Sequence, residues 1–176
     1  ISKIKEKTMP VVNKITSNVY LKAISDGLAS IMPAIIVGAI FTLLASLPIP
    51  AYQNFLSKIG IGQLLKHPVM FTTNILAVYS VFFIAYQLSK NFDCDGGVAG
   101  LLALLCFFIV TPVATVDKTA YISFQWLGAT GLFVAIIVGL VVARLYVAIV
   151  KKGIIIKMPN GVPPTISKSF AGLIPA

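Results

Sequence analysis

The sequence predicts an all-α integral membrane protein with four transmembrane helices, the start of a fifth, and two amphipathic surface helices. Of its 176 residues, 58% are hydrophobic and only 11% are charged, and the mean hydropathy is +0.97. Soluble proteins carry about 25% charged residues. A small domain leaves much of its surface in water, so one soluble core could not hide this many apolar side chains. The apolar residues also come in long runs, which is the pattern of membrane-spanning helices.

Four apolar runs approach the length of about 20 residues that a spanning helix needs. The predicted spans are residues 28–47, 69–88, 98–116 and 127–150, and a fifth begins near Ser169. We do not expect strands, because the runs are long and do not alternate apolar with polar residues. Proline interrupts helical hydrogen bonding, so we expect Pro33 to kink the first span and Pro112 to kink or end the third.

Two shorter stretches have the periodicity of amphipathic helices. In the first, Val11, Ile15 and Val19 recur at four-residue spacing. In the second, between the first two spans, one face carries the apolar residues Tyr52, Phe55, Leu56 and Ile59. Such helices lie along the membrane surface or pack against their own protein, and the sequence leaves both alternatives open.

Basic residues predict the orientation, because cytoplasmic loops are enriched in lysine and arginine. If the four spans cross in turn, ten lysines fall on one side: Lys3, Lys5, Lys7, Lys14, Lys22, Lys90, Lys151, Lys152, Lys157 and Lys168. The other side receives Lys58, Lys66 and Lys118. We therefore expect a cytoplasmic N-terminus. The net charge of +9 follows from this flanking pattern and does not indicate nucleic-acid binding.

Small residues recur at four-residue spacing in the first and fourth predicted spans. One stripe consists of Ser30, Ala34, Gly38, Thr42 and Ser46, and the other of Gly131, Ala135, Gly139 and Ala143. Small side chains let helices approach closely in a membrane. We interpret both stripes as packing faces, within the subunit or against a second subunit, with the first alternative as the default.

Few residues could support catalysis, and we assign no catalytic, substrate-binding or metal-binding residue and no cofactor. The only histidine, His67, falls on the outer side of the predicted topology, and the "DCDGG" segment at 93–97 is a turn rather than a calcium loop. Asp26 is expected to cap the first span. Arg144 is expected to anchor the inner end of the fourth span by extending to the interface.

Polar side chains in the second span, namely Asn74, Tyr79 and Gln87, could bond a neighbouring helix or line a polar path, and we favour packing. Tyr121, Phe124 and Trp126 are expected to mark the outer interface as an aromatic belt.

The two ends of the chain resemble one family of bacterial membrane proteins. The closing stretch "GVPPTISKSFAGLIPA" and the opening motifs Met9–Pro10, "AISDG" at 23–27 and Met32–Pro33 resemble enzyme IIC of the phosphotransferase system, in its lactose/cellobiose/chitobiose group. Ser25 stands where that group usually has arginine, which removes one cytoplasmic charge.

The resemblance implies a multi-pass protein of the bacterial inner membrane that carries a β-linked disaccharide. The sugar would be phosphorylated by a phosphocysteine on a soluble IIB partner, which IIA and the general phosphocarrier protein serve. The resemblance also implies a homodimer. It places the sugar site, with its histidine and glutamate, in a C-terminal half, and neither His67 nor Glu6 matches those positions.

On this reading, residues 1–176 are the N-terminal scaffold and dimerisation half, inactive alone and cut at the start of the fifth span. The loop with Lys157, Pro163, Pro164 and Lys168 is a candidate contact for IIB, or it simply positions the fifth span. The alternatives are an unrelated small four-helix transporter and a membrane scaffold protein.

Overall fold

The structure, a computed structural model, describes residues 18–154. It is a helix bundle with one short hairpin. The α-helices are α1 (Val19–Ser30), α2 (Met32–Ser46), α3 (Pro50–Ile59), α4 (His67–Met70), α5 (Leu76–Lys90), α6 (Gly96–Val110), α7 (Phe124–Leu127) and α8 (Leu132–Lys151). Single 3₁₀ turns occupy Leu64–Lys66, Thr73–Ile75 and Ala129–Gly131, and the strands are β1 (Val113–Val116) and β2 (Thr119–Ile122).

Helix α5 is the centre of the bundle. It packs against α8, α6 and α1, which surround it on three sides. Its residues Val81, Ile84, Ala85 and Leu88 have no exposed surface. Because α5 is enclosed by the chain itself, the outward faces of the surrounding helices are left for lipid or for other protein segments.

Glycines on three different helices allow this close approach to α5. A Cβ atom on Gly27 of α1 would lie 2.9 Å from the Ile84 backbone, and one on Gly139 of α8 would lie 3.1 Å from the Val81 carbonyl oxygen. A Cβ on Gly100 of α6 would lie 2.8 Å from the Phe82 ring. Contact between backbones at small residues is the usual way in which helices associate in membranes.

Two continuous helical stretches of the described chain are long and apolar enough to cross a membrane. They are Leu64–Lys90, with 27 residues, and Ala129–Lys151, with 23. Helices α1 and α2 meet the same test only as a pair, bent by 41°. Helix α6 is apolar but has 15 residues. By length and composition, residues 18–154 therefore contain two candidate spans, or three with the bent pair, rather than the four predicted.

The first predicted span is divided at Ile31, and Pro33 explains the break. Pro33 has no backbone N–H, so it cannot continue the hydrogen-bond ladder of α1, and it takes the first turn of α2 instead. The predicted kink is confirmed. The prediction that Asp26 caps this span was wrong, because Asp26 lies inside α1. The cap is Asn18, whose side chain accepts from the N–H groups of Tyr20 (3.0 Å) and Leu21 (3.4 Å).

The expectation of no strands was wrong for residues 113–122, which form an antiparallel hairpin. Pro112 ends α6, so the third predicted span stops at Val110 instead of reaching Val116. Asp117 and Lys118 then take positive φ angles of 48° and 64°. Two such residues form the tight turn that matches the twist of a two-stranded hairpin.

The second predicted surface helix is present as α3. Leu56 is buried, whereas Phe55 and Ile59 are at least half exposed. The Gln53 side-chain amide donates to the carbonyl oxygens of Ala45 (3.2 Å) and Leu47 (2.9 Å), which ties α3 to the end of α2. The first predicted surface helix, apart from Val19, lies outside the described residues.

Candidate functional site

The polar side chains of the spans serve mainly in packing. Gln87 of α5 donates to the Ser30 hydroxyl of α1 at 3.2 Å, and the Tyr79 hydroxyl donates to the Phe71 carbonyl at 2.8 Å. Within residues 18–154, no three His, Cys, Asp or Glu side chains come together as a metal site. His67 is exposed at the first residue of α4. The described part of the chain thus assembles no reactive group of the kinds considered above.

A shallow cavity of about 310 Å³ lies beside α7, at the end of the bundle where α8 begins. Asn74, Phe124 and Gln125 line it, and the Phe124 ring meets Phe71 edge to face at 6.3 Å. Tyr121, Phe124 and Trp126 are all more than one third exposed at this end. Whether they mark a membrane interface stays a prediction.

The predicted stripe of α8 faces the interior of the bundle. Ala135 and Ala143 have no exposed surface, and Gly139 lies against the Val81 carbonyl of α5. Gly131 precedes α8, where the Trp126 carbonyl occupies the space that a Cβ would need. The residues of this stripe are therefore covered by the chain's own helices.

The predicted stripe of the first span is interrupted by the break at Ile31. Ser30 is on α1, whereas Ala34, Gly38, Thr42 and Ser46 are on α2. Gly38 lies against the side chains of Thr72 and Thr73. The Thr42 hydroxyl donates to the Gly38 carbonyl of its own helix at 2.8 Å. Only Gly38 of this helix is buried.

The remainder of α2 presents a long apolar surface. The exposed fractions are 60% for Met32, 57% for Ile36, 53% for Ile40 and 63% for Leu43. Nothing in the described part of the chain covers these side chains. This surface is suited to contact with lipid or with another protein segment.

The opposite end of the bundle is built around the turn between α5 and α6. Asp93 has a positive φ of 59°, and Asp95 caps α6 by accepting from the N–H groups of Gly97 (2.9 Å) and Val98 (3.3 Å). The "DCDGG" segment is thus a turn, as predicted, and its Asp95 in addition caps α6, which was not predicted. Burial raises the pKa of the Cys94 thiol, nearby Lys151 partly opposes this shift, and Asp93 adds to it.

Two cations approach the Phe92 ring in this turn. The Arg144 guanidinium carbon lies 5.2 Å from the ring centroid, and the Lys151 ammonium nitrogen lies 5.3 Å from it. Near the same turn, the Lys90 ammonium nitrogen lies 5.3 Å from the centroid of the Tyr86 ring. The contact at Phe92 was not predicted from the sequence. Phe92 lies in a polar turn, where no helical or strand periodicity shows which residues it contacts.

The candidate IIB-contact residues Lys157, Pro163, Pro164 and Lys168 lie outside the described residues, as does the predicted start of the fifth span.

Comparison with known proteins gives consistent matches along the chain. Residues 25–176 match the family model described as phosphotransferase system, EIIC. The cellobiose-specific EIIC component of Geobacillus stearothermophilus is 37% identical over 99% of this chain and 42% of that protein. The lichenan permease IIC component of Bacillus subtilis (strain 168) is 35% identical over 98% of this chain and 41% of that protein.

One fused relative and one solved structure extend these matches. The lactose-specific EIICB component of Staphylococcus aureus (strain COL) is 32% identical over 97% of this chain and 30% of that protein. The crystal structure of the transporter ChbC, the IIC component of the N,N'-diacetylchitobiose-specific phosphotransferase system, matches with a TM-score of 0.87 and 37% identity. That match covers 98% of this chain and 43% of ChbC. The chain therefore spans about two fifths of the length of these separate EIIC relatives.

Proposed function

The chain belongs to the phosphotransferase system EIIC family, and from this premise we propose that it is the N-terminal half of a sugar permease. The permease would move a β-linked disaccharide of the cellobiose, chitobiose or lactose type across the membrane and release it as its phosphate ester. The observation that carries this proposal is the match over nearly the whole chain to EIIC proteins whose names specify such sugars.

Within that permease, we assign this half a scaffolding role. The glycine contacts around α5 support the assignment, since they bring α1, α6 and α8 into close contact with α5. The hydroxyl and amide groups of Gln87, Ser30 and Tyr79 are used in bonds within the chain. The sugar-binding and phosphoryl-acceptor geometry would come from the rest of the permease.

We further propose four membrane crossings in the bacterial inner membrane, with the N-terminus in the cytoplasm. The contacts at Phe92 support this arrangement, because they bring the start of α6 to the same end of the bundle as the end of α8. Helix α6 would then cross the membrane from this end of the bundle to the opposite end, together with the adjoining hairpin. Cysteines introduced at exposed positions 93 and 119 test the topology, and labelling of both from one side of the membrane would refute it.

The partners that we propose are a second copy of the permease and a soluble IIB protein. The exposed apolar face of α2 supports the first, because it offers a continuous surface for another subunit. The lactose-specific relative, whose name joins the IIC and IIB components as EIICB, supports the second. The segment with Lys157, Pro163, Pro164 and Lys168 is the proposed contact for IIB.

Uptake into membrane vesicles tests the proposed function. Vesicles that contain the full-length permease, with IIB, IIA and the phosphorylated form of the general phosphocarrier protein inside, should accumulate labelled cellobiose or chitobiose as the phosphate ester. Omission of IIB is the matched control and should abolish accumulation. Accumulation of unmodified sugar without a phosphoryl donor would show that the chain serves another kind of transporter.

A further inference from the structure

A shallow groove runs along the outer surface of the bundle between α1 and α8. Its volume is about 290 Å³. Tyr20 of α1 and Leu140, Val141 and Leu145 of α8 line it, and Arg144 is the one charged residue among the described residues that do so. Val141 and Leu145 are about half exposed, at 52% and 57%, so the groove opens outward from the bundle.

The charged group of Arg144 lies near the inner end of this groove. Arg144 precedes Lys151, the last residue of α8, by seven positions, which corresponds to about 10 Å along a helix. Its guanidinium nevertheless reaches Phe92, which lies in the turn beyond the end of α5. The side chain therefore extends toward the helix ends, where lipid headgroups meet a membrane protein.

Arg144 forms no ion pair with any residue of the range 18–154. Its described contact is the Phe92 ring, which it shares with the Lys151 ammonium group. The Asp93 and Asp95 carboxylates belong to the same turn, and Asp93 and Lys151 both act on the Cys94 thiol. A phosphate group is nevertheless well matched to Arg144, because a guanidinium can donate two parallel hydrogen bonds to it.

We propose that this groove binds one anionic phospholipid, with an acyl chain against Tyr20, Leu140, Val141 and Leu145 and the headgroup phosphate on Arg144 and Lys151. The apolar lining and the basic end match the two parts of such a lipid. A lipid with a choline headgroup would place its own positive charge beside Arg144 and Lys151, so it matches this end of the groove less well. The inference concerns the bundle surface and does not depend on which sugar is transported.

Native mass spectrometry of the full-length protein in detergent tests the proposal. Phosphatidylglycerol and phosphatidylcholine with identical acyl chains would compete at equal concentration. Each basic residue near a membrane surface strengthens the binding of anionic lipid by about fivefold. We therefore expect the wild type to prefer phosphatidylglycerol and Arg144→Gln to lose about fivefold of that preference. Lys152→Gln, which removes one exposed charge outside the groove, is the matched control and should change the preference less.

A second pair of variants tests the groove itself. Val141→Trp fills it, whereas Val134→Trp makes the same change on the same helix outside it, at a residue that is 43% exposed. Only Val141→Trp should reduce retention of phosphatidylglycerol. The proposal would be overturned by equal binding of the two lipids to the wild type, or by equal effects of Arg144→Gln and Lys152→Gln. Displacement of the lipid by glycerol phosphate as readily as by phosphatidylglycerol would also overturn it, because the groove would then play no part.

Discussion

The guanidinium carbon of Arg144 lies 5.2 Å from the centroid of the Phe92 ring. This contact links the C-terminal part of α8 to the turn between α5 and α6. A cation over an aromatic face is stabilised by about 0.5 to 1 kcal/mol at exposed sites. This contact gives Arg144 a defined position at one end of the bundle. Because the Arg144 guanidinium lies at this end, it needs no charged partner in the middle of the membrane, although Arg144 falls inside an apolar run.

Close packing at Gly27 predicts a large effect of a single methyl group. A Cβ there would lie 2.9 Å from the Ile84 backbone, which cannot move without displacing α5. We expect Gly27→Ala to lower the free energy of unfolding by about 1 to 3 kcal/mol, the usual cost of overpacking. Thermal unfolding in detergent measures this change. Gly62→Ala is the control, since a Cβ at Gly62 meets nothing within 4 Å. Equal melting temperatures for the two variants would contradict the packing account.

The hydrogen bond between Gln87 and Ser30 predicts a small coupling between α5 and α1. Its length is 3.2 Å and it is partly buried. Hydrogen bonds between membrane helices contribute about 0.6 kcal/mol in double-mutant cycles. We expect a coupling energy of about that size from Gln87→Ala, Ser30→Ala and the double variant, measured by reversible unfolding. A coupling of zero would mean that the bond is not formed in the membrane.

If two copies of the permease associate as proposed, the exposed face of α2 is the expected contact. With Cys94 and Cys106 replaced by serine, Leu43→Cys should form a disulfide between subunits on mild oxidation. Leu43 is 63% exposed. Phe133→Cys on α8, at a residue that is 71% exposed, is the control and should remain monomeric on a denaturing gel. Cross-linking through position 133 and not through position 43 would place the dimer contact on α8 instead.

The environment of Cys94 predicts slow alkylation. Burial raises the pKa of the Cys94 thiol, so less thiolate is present near pH 8 than for an ordinary cysteine. Lys151 opposes this shift, so Lys151→Gln should raise the pKa further and slow the reaction with a maleimide. The rate is measured from pH 7 to pH 10 in a Cys106→Ala background. Lys152→Gln is the matched control, and equal rate profiles for both variants would contradict the assignment.

Apolar composition was enough to predict the helical runs and the stripe on α8, because these features repeat along the chain. Pro33 and Pro112 predicted the break at Ile31 and the end of α6. Hydropathy alone did not, since in both places the apolar run continues past the proline. The hairpin was missed for the same reason. Its turn uses Asp117 and Lys118 with positive φ angles, a conformation more typical of glycine and asparagine.

The contacts of α5 could not be predicted from its sequence. In a membrane protein, a buried position and a lipid-facing position can carry the same apolar residue, so hydropathy does not separate them. Gly27 and Gly100, which lie against α5, were not part of either stripe predicted from the sequence. The groove beside Arg144 was likewise not visible, because Tyr20 and Leu140 are far apart in the chain.

The central claim is that residues 18–154 form the scaffold of a sugar permease whose sugar site lies elsewhere in the protein. Photo-cross-linking of a β-linked disaccharide to the full-length permease, followed by peptide mapping, tests it most directly. The account predicts labelling that excess unlabelled sugar abolishes, all of it in peptides outside residues 18–154. Labelling within α5 or α8 that excess sugar abolishes would contradict it, because these helices would then line the sugar site.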